Sequence, residues 1–223
     1  MHANISPFAA ADARGAGTTA PAMQVPDFFA SAPSILMHDA LAELLGAAQG
    51  GIIAYSYLDA VKLAGHSCPT VAGAWLMTRA ALARLYPGQM PQRGEIRVEL
   101  REPQDAGVTG VIASVAALVT GAAGAGGFKG LAGRHARRDL LAFGVPMRGE
   151  MRFTRLDSGH GVELSHHPQV VPRQPALATL MQDALAPQSD AAARLAFGQA
   201  WQDWVRAILV DHADDPALIS VEG

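Results

Sequence analysis

Cysteine is almost missing from this chain: Cys68 is the only one in 223 residues. One thiol cannot close an intramolecular disulfide, so a secreted framework held by bridges is excluded. An excess of basic charge is missing too. Seventeen Lys and Arg face 20 Asp and Glu, for a net charge of −3, which leaves no electrostatic footprint for nucleic acid. Long hydrophobic runs are lacking, because Gly, Ser and Thr interrupt each apolar stretch before it reaches membrane-spanning length. The opening MHANISPFAA has neither a basic segment nor a continuous apolar one, so no signal peptide is expected. Internal repeats and paired-cysteine zinc patterns are absent as well. These absences predict a cytoplasmic protein with neither nucleic acid nor membrane as a partner.

What is present is apolar mass. Half of the residues are hydrophobic and 17% are charged, enough for a sizeable core in one domain or a domain with an appendage. Residues 1–30, rich in Ala, Gly, Thr and Pro, read as a flexible arm. An α+β core is expected over 31–172, with a helical C-terminal segment over 173–223 packed on it. Ser34 with Ile35, Leu36, His38, Leu41, Leu44 and Leu45 predicts a first helix. GGIIAYSYLDAVKLAG predicts a strand, or a strand running into a turn.

Pro69 opens a helix whose apolar face is Val71, Ala74, Trp75, Thr78, Ala81, Leu82 and Leu85, closed by Pro87-Gly88. EIRVELRE alternates as a half-buried strand, and a helix is favoured over about 107–120. DLLAFG, EMRFTRLD and GVELSHHP read as strands, the last two as a hairpin, and helices are expected over 175–185 and 189–211. The sum is a mixed sheet with packed helices, without the regular alternation of a doubly wound fold.

The chemistry concentrates in KLAGHSCPTVAGAW. Cys68 lies at the predicted start of the Pro69 helix, where free N–H groups and the positive dipole end favour a thiolate. His66 stands two residues earlier, and the pair could turn toward one point. Two ligands make only half of a tetrahedral zinc site. The competing readings are a small buried hydrophobe, as single cysteines often are, or a nucleophile with a histidine base.

AGHSCPTVAGAW resembles the GHxCPG segment of the FmdE family, named for a component of formylmethanofuran dehydrogenase. GVIASVAALVTGAAGAGGFKGL resembles that family's second block, a helix ending in TGCT before a Gly-Lys-Gly turn, here Thr120-Gly121-Ala122-Ala123 and Phe128-Lys129-Gly130. The resemblance implies an α+β domain paired into homodimers, with a transition metal, typically zinc, near His66 and Cys68. The chain departs from the family in three places. Ala122 stands where the second motif cysteine would be, Thr70 replaces the glycine after the proline, and no C-terminal four-cysteine zinc ribbon is present. Fewer protein ligands would leave an open coordination position. A Cys-Pro pair beside a histidine would also suit haem iron, so a haem sensor or carrier is the alternative.

Further candidates surround this pair. His38 and His135 could complete a metal site. A lone histidine on an apolar helix face is also an ordinary core residue, and one in GRHARRD an ordinary basic turn. Asp59 could hold the His66 imidazole from behind. GAAGAGGFKG lacks the Walker and dinucleotide spacings, yet its backbone N–H groups around Gly127, with Lys129, Arg134, Arg137 and Arg138, could hold an anion or small-molecule ligand. His166-His167 reads as a surface pair of which at most one member faces a site. Trp75, Trp201 and Trp204 read as core or interface residues.

Overall fold

The computed structural model describes residues 23–222. Most of the expected N-terminal arm lies outside these residues. Its end does not hang free: Asp27–Ser31 form a 3-10 turn that buries Phe29, whose ring meets Tyr57 edge-on at 5.1 Å.

The fold is α+β. A two-stranded antiparallel sheet pairs β1 (Ile35–His38) with β2 (Ile52–Tyr55). A five-stranded sheet has the order β4-β3-β5-β6-β7, from β3 (Ile96–Leu100), β4 (Leu141–Ala142), β5 (Met151–Arg155), β6 (Gly161–His166) and β7 (Ile219–Glu222). Only β3 and β4 run parallel. The helices are α1 (Ala40–Leu44), α2 (Tyr57–Ala64), α3 (Pro69–Leu85), α4 (Thr109–Thr120), α5 (Leu177–Leu185) and α6 (Ala191–Arg206).

Ile96, Val98, Leu100, Met151, Phe153, Val162 and Leu164 form the buried face of the larger sheet, with α3 and α4 packed on that side. The alternate residues carry charge: Arg152 bridges Glu99 at 2.8 Å and Glu163 at 3.2 Å. The period of two in β3, β5 and β6 thus separates a hydrocarbon face from an ionic one.

α3 lies at the centre. Pro69 occupies its first turn, where a missing N–H costs nothing, and Cys68 is its extended N-cap. The expected face of Val71, Ala74, Trp75, Thr78, Ala81, Leu82 and Leu85 is buried, but so is every other residue from Val71 to Thr78. The helix touches β6, α2, α4 and α6, so its first turns have no solvent side.

Two expectations are corrected at the start of the core. The helix expected from Ser34 is a strand followed by a single-turn helix. Ile35 and Met37 are buried while Leu36 is exposed, a period of two that the neighbouring leucines masked, and Asp39 starts α1 by accepting from Leu41 N and Ala42 N. In the second case the strand ends at Tyr55 and α2 follows. Asp59 reaches back to Ser56 N (2.9 Å) and Ser56 Oγ (2.8 Å), and Gly65 closes the helix in the left-handed region.

The C-terminal segment is helical over α5 and α6 as expected, then ends in an unexpected strand. β7 pairs antiparallel with β6, so Ile219–Glu222 belong to the core sheet. Among the described residues no helix is long and apolar enough to cross a membrane.

Candidate functional site

The His66–Cys68 turn is held by three side chains from two helices. The Tyr57 hydroxyl meets Ser67 Oγ at 3.0 Å from below. Trp201 Nε1 and Gln202 Nε2, both on α6, donate to the Ser67 carbonyl at 3.1 Å each. Burial holds the Tyr57 phenol well above its usual range, so it stays protonated. Ser67 is therefore the anchor, and its neighbours are placed by it. Nothing local in the sequence marks Trp201 or Gln202 for this task; they lie more than 130 residues away, and only the packing of α6 brings them over the turn.

His66 is exposed and Cys68 is buried. His66 Nδ1 bonds the Ala64 carbonyl at 2.9 Å. A carbonyl only accepts, so Nδ1 is the donor, and in the neutral imidazole the lone pair is on Nε2. Metal-bound imidazoles are commonly oriented this way, through a second N–H donated to a carbonyl. Cys68 is the N-cap residue of α3, a 17-residue helix, and its side chain makes no capping hydrogen bond. Among the described residues, no hydrogen bond joins the Cys68 thiol to His66.

The other candidates do not gather here. His38 lies at the end of β1, with Nδ1 on Gln92 Oε1 at 2.7 Å and Nε2 on Glu43 Oε2 at 3.0 Å. The hydrogen bonds to Gln92 and Glu43 raise its pKa, and both nitrogens are occupied. His135 lies on the Gly-rich loop with φ of 60°. Asp59 is spent on the capping of α2 rather than on His66. Among the described residues, no group of three His, Cys, Asp or Glu side chains could hold a metal ion.

The Gly-rich loop is pinned rather than open. Arg137 reaches from it to Asp39 at 2.7 Å and lies over Gly94, where a Cβ would come within 1.3 Å of the guanidinium. Arg93 reaches the other Asp39 oxygen at 2.9 Å. Gly127 is needed because a Cβ there would sit 2.7 Å from Ala123 Cβ and 2.9 Å from the Arg138 backbone. Lys129 is exposed. Of the four cations expected to favour an anion there, Arg137 is committed to Asp39 and Arg138 pairs with Asp139 at 2.7 Å. Ala122 is buried, with its N–H on Thr120 Oγ1.

His166 departs most from its expected surface place. It is largely buried, its ring lies against Gly73 of α3, and its Nε2 has no hydrogen-bond partner. No family model matches this chain, and no curated protein matches it.

Proposed function

We propose that this protein is an FmdE-like metal- or metal-cofactor-binding protein that binds through His66 and Cys68. The orientation of His66 carries the reading: its Nδ1–H donates to the Ala64 carbonyl, which leaves Nε2 as the nitrogen for a metal, on an exposed ring two residues from the N-cap cysteine of α3.

The donor count limits what can bind. A closed structural zinc needs four ligands, and the described residues do not supply them. Thiolate and imidazole instead fit a metal whose other positions are filled from outside the chain, by a small molecule, by a second copy in a homodimer, or by a cofactor that brings its own ligands. Haem is the alternative of that last kind, since it accepts either donor axially. A bound metal or haem would supply Lewis-acid or redox chemistry. The chain's own part is to orient the His66 ring through Nδ1, to present the Cys68 sulfur at the start of α3, and to fix the turn through Ser67. A nucleophilic Cys68 with His66 as base fits less well, because the imidazole makes no hydrogen bond to the thiol.

Metal analysis and a visible spectrum of the purified chain test this reading, with His66→Ala and Cys68→Ala beside the wild type. A stoichiometric metal or a haem spectrum is expected, with each variant weakening retention by about tenfold or more while keeping its circular dichroism. A metal-free, colourless wild type, or binding unchanged in both variants, overturns it.

A further inference from the structure

A pocket of about 320 Å³ opens where the chain enters α5. Leu177, Ala178 and Met181 of α5 and Trp201 of α6 line it, and Arg173 and Gln174, just before α5, supply its polar groups.

The apolar wall is wider than the packing of α5 requires. Leu177 is buried, with Leu180 and Ala184 half-buried on the same stripe. Ala178, Met181 and Leu185 form a second stripe at helical spacing, with Met181 40% and Leu185 75% exposed. Surface helices normally carry polar residues at such positions, so a second apolar stripe beside a pocket marks a binding surface. Trp201 adds hydrocarbon rather than a donor, because its Nε1 is already given to the Ser67 carbonyl at 3.1 Å.

Charge enters this wall through Arg173. Its guanidinium lies over the Trp204 ring, 5.7 Å from the centroid. Stacking uses a face of the guanidinium and leaves the N–H donors at its edge. Among the described residues no carboxylate pairs with Arg173, and none lines the pocket. Gln174 adds an exposed amide. One cation without a counter-charge, set in a hydrocarbon wall, matches a monoanion with an apolar body, and a carboxylate meets a guanidinium edge through two parallel hydrogen bonds.

We infer that this pocket binds a small aliphatic carboxylate, with its carboxylate on Arg173 and its hydrocarbon against Leu177, Met181 and Trp201. The site is distinct from the metal-binding reading of His66 and Cys68 and stands without it.

Hexanoate is the probe, titrated into the full chain, with hexanol and hexylammonium as controls. The Met181 methyl resonance, assigned by its loss in Met181→Leu, reports occupancy by NMR. A saturable shift with hexanoate is expected, with hexanol and hexylammonium binding about tenfold or more weakly. Arg173→Gln should weaken hexanoate by about the same factor and leave hexanol unchanged, while Arg173→Lys should recover part of the loss. The comparison of hexanoate with hexanol in the wild type decides the matter even if a variant fails to fold. No saturable shift with hexanoate, equal binding of hexanol or hexylammonium, or unchanged hexanoate affinity in a folded Arg173→Gln overturns the inference.

Discussion

Asp39 accepts hydrogen bonds from Leu41 N, Ala42 N, Arg93 and Arg137. Burial works to raise its pKa, but the Ala42 N–H and the Arg93 guanidinium, with the charge of Arg137, outweigh it and hold the carboxyl below its ordinary range. One side chain thus caps α1 and ties down the Gly-rich loop. Asp39→Ala removes the cap and leaves Arg137, itself buried, without its counter-charge. Loss of one partner of a buried pair costs about 3–5 kcal/mol, so urea denaturation of this variant should show a loss of at least about 3 kcal/mol. A loss below about 1 kcal/mol, the worth of an exposed pair, would mean that the cluster is solvated. Neither Asp39 nor Arg137 stands out in the sequence, where Arg137 reads as one of several loop cations.

At the scale of elements, the contact between α3 and β6 is set by one missing side chain. A Cβ on Gly73 would come within 2.2 Å of His166 Nδ1. The ring lies on a core-facing strand position and is no flexible tip, so Gly73→Ala must push the helix from the sheet or turn the imidazole out. Overpacking of this kind costs about 1–3 kcal/mol, and the expected lowering of the melting temperature is readable by calorimetry. Helix propensity alone predicts the opposite, a gain of about 1 kcal/mol from Gly to Ala, so the sign of the change discriminates. The element pattern itself was largely legible. α3, α4, β3 and the β5–β6 hairpin announce themselves by Pro69, by apolar spacing and by alternation. β1 was not, because four residues carry too few periods to separate a strand from the leucine-rich turn after it. β7 was not either: ISVE is a strand because β6 offers it an edge.

For the molecule as a whole, the buried histidine sets an acid limit. His166 has a folded pKa of about 4 against an ordinary 6.5, so the unfolded chain binds more protons between these values. Its contribution is complete above about pH 6.5 and falls away as the pH drops toward 4, a loss approaching about 3 kcal/mol. Asp39, with its lowered pKa, adds a further loss once the pH falls below its unfolded value. Glu150 has a raised pKa and works the other way, costing stability as the pH rises through its raised range. His38, also raised and partly exposed, adds a small stabilisation below its unfolded pKa that is lost as the pH rises through its raised value. Urea denaturation from pH 7 to 4.5 should therefore show declining stability, and His166→Gln should flatten the decline whatever its effect at pH 7. A flat wild-type profile would mean that His166 is hydrated.

Local chemistry determined much of this protein. One cysteine, a proline at a helix start, a serine–aspartate capping box and strands alternating hydrocarbon with charge are short-range signals, each satisfied within a few residues. They locate α3 and the alternating strands of the larger sheet, and they set His66 and Cys68 at the mouth of a helix, while the stretch that forms α2 reads as strand or turn and shows its helix only in the structure. Tertiary structure decided the rest. Trp201 and Gln202 reach Ser67, Arg137 reaches Asp39, and the His166 ring reaches Gly73, each across more than 90 positions of chain. Burial and partner choice at such distances depend on which surfaces meet. A residue's own neighbours in sequence do not carry that information, and so the turn at His66 could be read in advance while the packing of His166 on Gly73 could not.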